Sequence, residues 1–309
     1  MRRNATPEDF EACRAILRTG SKSFAVASLL LPKRVRRPAA AVYAFCRIAD
    51  DRIDADPHAT ETAVDELRDR LYRIFLGRPG NDPVDRALAD VVERLRLPLQ
   101  PFEALLEGLA WDAVGRRYET LDDLHAYAAR VAGAVGAIMT LLMGERAAGV
   151  LARACDLGVA MQLTNIARDV GEDAARGRIY LPLQWMRAAG IEPDRWLERP
   201  RADDATRSVV ARLLRSADDL YARADAAIAA LPADCRVGIR AAKLIYSDIG
   251  RCVVRAGFDS ITRRAVVPRA RKLWLVLWSL RARFERRRIL DAPPLGSTRF
   301  LVAACAEGP

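Results

Sequence analysis

Two stretches of this chain carry carboxylates at a spacing that calls for a cation. The stronger is Gln162 to Asp173, QLTNIARDVGED, in a run of helix formers with no proline before Pro182. At 100° per residue, Gln162, Asn165, Asp169 and Asp173 share one helix face within an arc of roughly 80°. Leu163 and Val170 point away from that face and can pack. Carboxylates at i and i+4 repel, costing a helix a few tenths of a kcal/mol. If the face is buried, something positive must offset them. A hard divalent ion suits, because Mg²⁺ takes oxygen ligands and is held by one or two carboxylates plus phosphate oxygens.

The second stretch, Val42 to Asp54, reads VYAFCRIADDRID. Here Tyr43, Arg47, Asp50 and Asp54 share an arc of about 60°, flanked by apolar Val42, Cys46, Ala49 and Ile53. Asp51 points toward the edge. A single acidic pair of this kind is usually a solvated face. Two pairs, each beside apolar positions and further polar groups, argue for a shared cluster. With Arg47, Arg176 and Arg178 nearby, the carboxylates suit a diphosphate bridged by metal ions, the arginines adding bidentate contacts. Competing chemistries lack their residues. There is no GxxxxGK[ST], no GxGxxG and no calcium-loop spacing. A di-iron bundle wants Glu-x-x-His twice, and neither His58 nor His125 follows that pattern.

The elements that must position these residues read as helices throughout. The chain has 309 residues, 51% of them hydrophobic, enough for a large core. Its 50 Lys plus Arg against 40 Asp plus Glu leave a net charge of +10. That balance admits anionic substrates, an anionic membrane surface or nucleic acid. The six cysteines form no CxxC pair and read as reduced thiols. The first 20 residues show no secretory signal, and no run reaches 18 apolar residues. These features predict a cytoplasmic protein.

Thr6-Pro7-Glu8-Asp9 predicts a helix start, and Thr120-Leu-Asp-Asp123 a capping box opening a helix through Met143. The small run VAGAVG at 131–136 predicts either tight helix packing or a substrate-lining wall. The central helix is expected over 147–173, an irregular excursion over 185–206, and further helices over 205–231 and 234–257. Arg269 to Leu290 is basic at both ends and apolar between. It reads equally as a helix docked on the core and as one lying on an anionic membrane. Residues 291–309, rich in proline, glycine and small side chains, are expected to be a loose tail. No stretch alternates like a half-buried strand, and no linker divides the chain. The expectation is one all-α domain over 1–290.

SKSFAVASLLLP, YAFCRIADDRID, YAARVAGAVG and QLTNIARDVGEDAARGRIYLP, in this order and spacing, resemble the squalene/phytoene synthase family. The resemblance runs from about Arg14 to Trp278 and is strongest to the bacterial phytoene-forming members. It implies an all-α isoprenoid synthase fold with a central cavity, and head-to-head joining of two geranylgeranyl diphosphates. Carried over position by position, it implies that Asp50, Asp54, Asp169 and Asp173 hold Mg²⁺, with Mn²⁺ as a substitute. Arg47, Gln162 and Asn165 match positions beside the diphosphates or metals. Ser21 and Phe24 match the flap at the cavity mouth, and Tyr127 the cavity tyrosine. Tyr246 and Arg264 match a C-terminal tyrosine and arginine near the diphosphates. No NADPH is expected, since no nucleotide motif is present.

The alternatives are a relative using the C15 farnesyl diphosphate, or a non-catalytic basic protein that binds membrane or nucleic acid. With the enzyme reading, no nucleic-acid partner is expected, and peripheral contact with the inner membrane is.

Overall fold

Helix signals in the sequence become caps in the structure. The computed structural model describes residues 5–20, 28–54, 60–285, 290 and 292–307, and of Asp54, Thr60 and Glu61 the backbone only. Helix α1 (Pro7–Gly20) opens with Thr6 Oγ1 accepting from the Asp9 amide at 3.4 Å, while the Asp9 carboxylate accepts from the Thr6 amide at 2.9 Å. After α2 (Lys33–Asp54) and α3 (Thr60–Phe75) comes α4 (Pro83–Leu95), capped by the Asp82 carboxylate on the Val84 amide at 2.8 Å. Helix α5 (Gln100–Ala113) follows. The expected box at Thr120 opens α6 (Leu121–Ala128), with reciprocal bonds to Asp123 of 3.2 and 2.9 Å. Each cap satisfies backbone donors that the first turn would otherwise leave unpaired.

Helix α6 continues through a π turn (Ala129–Gly133) into α7 (Ala134–Leu142). The whole run Leu121–Leu142 is long and apolar enough to cross a membrane, but it is 67% buried inside the bundle. Next comes α8 (Ala148–Ala175), the longest helix described. The expected irregular excursion holds two short helices, α9 (Leu183–Ala188) and α10 (Pro193–Glu198). Helices α11 (Asp204–Ile228), α12 (Ala233–Arg255) and α13 (Arg269–Ser279) complete the wall. No strand occurs among the described residues. The chain thus has the expected all-α architecture.

Helix α8 is the hub. It packs along α11 and also touches α7, the π turn and α12. Its close approach to the α6–α7 run explains the VAGAVG element. A Cβ on Gly158 would lie 2.2 Å from the Ala132 carbonyl oxygen, and one on Gly136 would lie 2.3 Å from that of Ala154. Glycine is required there because backbone meets backbone.

Two readings need correction. The stretch from Arg269 is helical only to Ser279, then turns as a 3₁₀ helix over Leu280–Phe284. The tail is also not loose as a whole. Its last helix, α14 (Arg299–Ala306), buries Leu301, Val302 and Cys305 against α8 and α7. Upstream of it, the Pro293 carbonyl accepts from Arg153 at 3.0 Å and from Arg223 at 2.9 Å. Composition suggested a tail because it does not register that a few apolar positions suffice to dock one short helix.

Candidate active site

The two acidic helices deliver their side chains into one polar chamber. Its walls include Arg47 and Asp50 from α2, Asp112 from α5, Tyr127 from α6, and Gln162, Asn165, Asp169 and Asp173 from α8. Arg176, Arg178 and Tyr180 enter from the loop after α8, Tyr246 from α12, and Arg264 from the loop before α13. Every expected site residue with a described side chain therefore lines this chamber. Ser21 and Phe24 lie outside the described residues, as does the side chain of Asp54.

On α2, Arg47 donates to Asp51 (Nε to Oδ2, 3.0 Å) and to Asp50 (Nη1 to Oδ2, 3.3 Å), bonds that the one-turn spacing permits. On α8, Asp169 accepts from the neighbouring Arg168 and from Arg264, whose Nε lies 2.8 Å from Oδ1. Burial pushes the Asp169 carboxyl up, but these two guanidiniums outweigh it, and the net shift is downward. Asp173, one turn on, is pushed up to about 7, first by burial and then by the charge of Asp169.

Arg264 reaches this point because its loop is clamped to α8. Gly171 donates its amide to the Ser260 carbonyl at 2.9 Å, and a Cβ there would meet Ile261 at 2.7 Å. The loop holds its own shape through the Asp259 carboxylate, which accepts from the Ile261 and Thr262 amides.

Asp112 is the residue that sequence reasoning missed. Its carboxylate accepts from the Tyr127 hydroxyl at 2.8 Å and the Tyr180 hydroxyl at 2.7 Å. Burial pushes it up to about 6, against the pull of those hydroxyls and of Arg178. It also feels the charge of Asp50 from one motif, and Asp173 of the other feels Asp112. It therefore stands electrostatically between the two. The rings of Tyr127 and Tyr180 stack at 5.3 Å between centroids, fixing both hydroxyls. A lone acid in WDAVGRR carries no periodic signal. Only Tyr180, inside the quoted GRIYLP segment, was within reach of the motif.

Below the chamber runs an apolar channel. The two share Gln162, Asn165 and Tyr246, which form the neck. Further down, the channel is walled by Val131, Val135 and Met139 on one side, and by Leu157 and Met161 of α8 on another. VAGAVG thus serves both expected purposes, packing through Gly136 and lining through Val131 and Val135. At the deep end Arg153 is buried, paired with Asp156 at 2.9 Å, and Asp156 also accepts from Arg223 at 3.0 Å.

The donor set fits divalent cations. The carboxylates crowd one another: burial and then the charge of Asp169 raise Asp173, and Arg176 and Arg178 offset this only in part. Among the described residues, no three His, Cys, Asp or Glu side chains converge on one point. Each ion would draw one or two carboxylates from the chain and the remaining oxygens from phosphate or water, as Mg²⁺ typically does.

An all-α bundle with acidic motifs facing each other above an apolar channel is the architecture of an isoprenoid synthase. The family model for squalene/phytoene synthase matches residues 17–271, and the chain belongs to that family. It is 52% identical to a phytoene synthase of Cereibacter sphaeroides, over 97% of this chain and 88% of that one. It is 56% identical to a phytoene synthase of Rhodobacter capsulatus, over 87% and 80%. Among solved structures, it matches a dehydrosqualene synthase determined with a ligand at TM-score 0.82 and 36% identity, over 88% of this chain and 95% of that one.

Proposed function

We propose that this protein is a phytoene synthase, joining two geranylgeranyl diphosphates head to head through a cyclopropylcarbinyl (prephytoene) diphosphate, the first committed step to carotenoids. The observation that carries this reading is the neck, where a chamber of acids and arginines opens at Gln162, Asn165 and Tyr246 into an apolar channel. A prenyl diphosphate is a charged head on a greasy chain, and it matches that polarity end to end.

Asp50, Asp54, Asp169 and Asp173 would hold the metal, with Mg²⁺ as our assignment and Mn²⁺ as its substitute. When bound, the metal supplies charge neutralisation for the leaving diphosphate. Arg47, Arg178 and Arg264 orient the phosphate oxygens through paired N–H donors. Gln162 and Asn165 hold the substrate at the neck. Ionisation leaves an allylic cation there, beside the rings of Tyr127 and Tyr246, each of which stabilises positive charge by about 0.5–2 kcal/mol. The channel wall excludes water, which would otherwise capture the cation.

The double bond of the second substrate attacks the cation, and loss of a proton closes the three-membered ring to give the cyclopropylcarbinyl diphosphate. A second ionisation, rearrangement and loss of a proton give the C40 hydrocarbon. The sequence ends in proton loss, so it calls for no reductant such as NADPH. For Ser21 and Phe24, the flap role rests on the family resemblance alone.

The test is product analysis by mass spectrometry. Purified protein given both geranylgeranyl and farnesyl diphosphates with Mg²⁺, and no NADPH, is expected to yield a C40 hydrocarbon and pyrophosphate. A C30 product from farnesyl diphosphate alone would reassign the enzyme to the C15-using branch. Full turnover in EDTA would remove the metal from the mechanism.

A further inference from the structure

Among the described residues, seven of the twelve exposed large hydrophobic ones fall between positions 266 and 284. Leu273, Trp274, Leu277, Trp278, Leu280 and Phe284 stand between 43% and 86% exposed. Beneath them, α13 buries only Leu275 and Ser279, and Leu275 joins Ile245, Ile249 and Val267 in a small separate core. So the helix docks by its smaller face and presents its larger apolar one to solvent. A patch of this size on a water-soluble surface marks an interaction site.

Its chemistry selects the partner. Trp274 and Trp278 stack at 5.3 Å between centroids, with Arg271 over the first ring and Arg281 over the second. From Ser260 to Phe284 the sequence has seven bases and no acid. Arg264 and Arg271 are engaged by Asp169 and Asp248, while Arg269, Arg281 and Arg283 lie exposed at the rim of the apolar face. Leucine and tryptophan ringed by arginine is the composition of a helix that lies in a lipid interface. A second copy of the chain would set like charges against each other, and repulsion opposes that pairing. Anionic headgroups supply the complementary sign.

We propose that the face spanning residues 266–284 docks the protein on the surface of an anionic lipid bilayer. Helices α13 and α12 then stand between lipid and the channel. Ile239, Ala242 and Tyr246 of α12 line the channel, while Ile245 and Ile249 pack toward α13. One helix is about 10–12 Å across with its side chains, so docking brings the apolar channel within about two helix diameters of the membrane. That this position serves release of an insoluble hydrocarbon rests on the proposed reaction; the docking itself does not.

Flotation of the full chain tests it. The wild type should float with phosphatidylcholine–phosphatidylglycerol vesicles at low salt, and poorly with phosphatidylcholine alone. Its tryptophan emission should shift to the blue on binding. Trp274→Ser/Leu277→Ser/Trp278→Ser should lower the floated fraction about tenfold or more, as should Arg269→Gln/Arg281→Gln/Arg283→Gln. Both variants should keep wild-type circular dichroism and pyrophosphate release in detergent, which excludes misfolding. Flotation of the variants equal to wild type would overturn the proposal. So would a wild-type dimer that the tryptophan and leucine substitutions dissociate, since the face would then be a self-interface. Flotation needs no substrate, so a failed product assay with intact flotation would sink the reaction and leave the docking face standing.

Discussion

Asp169 and Asp173 lie one turn apart on the same helix and titrate in opposite directions. Two guanidiniums hold Asp169 down, while burial and Asp169 push Asp173 up to about 7. A metal at Asp173 must therefore displace a proton at acid pH. Binding of Mg²⁺ in the presence of pyrophosphate is expected to tighten as pH rises from 6 to 8, read by calorimetry. Stability should run the other way in the metal-free protein. A carboxyl raised above its ordinary value of 3.8 contributes stability fully below about pH 4, and that contribution is lost as pH climbs toward 7. Asp173→Asn should flatten this slope in a series of melting temperatures. Asp169→Asn should lower kcat roughly 10³-fold with helix content intact, because a lost metal contact forfeits several kcal/mol of charge stabilisation. The acid pairs were legible because periodicity puts them on one face. Asp112 was not, because its significance comes from Tyr127 and Tyr180, which other elements bring to it.

The elements owe their placement to a few points of backbone contact. Gly158 against Ala132 and Gly136 against Ala154 set the distance between α8 and the α6–α7 run, and so the width of the channel. Gly158→Ala forces a carbonyl aside and should destabilise the fold by about 1–3 kcal/mol, the usual cost of overpacking. Thermal unfolding checks this, and product yield should fall with the altered wall. The run of small residues in VAGAVG could be read from sequence as a close approach. Its partner could not, because nothing in a single helix says which neighbour comes near. Cap residues such as Thr120 were fully legible, since a cap is a local event completed within four residues.

For the molecule as a whole, the deep end of the channel depends on the C-terminal segment. Arg153 and Arg223 both donate to the Pro293 carbonyl while sharing Asp156. Deleting residues from Ala292 onward should leave Arg153 short of a partner in a buried setting and unseat Leu301 and Cys305 from the core. Leaving a buried charged donor without its acceptor costs roughly 1–3 kcal/mol or more, so a lower melting temperature and a leaky channel with shorter or hydrated products are expected. Composition pointed away from this role, because proline and glycine read as disorder wherever tertiary contacts are out of view. All-α character was visible from periodicity alone, whereas the arrangement of helices around a channel depended on the family resemblance.

The pairing of Arg264 with Asp169 implies an order of events. In the free protein the guanidinium serves as the carboxylate's counter-ion, so an incoming cation must compete with it. A diphosphate offers that arginine a new anion and leaves Asp169 with Arg168 as its remaining counter-ion, so the cation meets one competitor fewer. Metal and diphosphate should therefore bind synergistically, each raising the other's affinity by the same factor, as thermodynamic linkage requires. Titrating Mg²⁺ with and without pyrophosphate should show this synergy, and Arg264→Gln should abolish most of it.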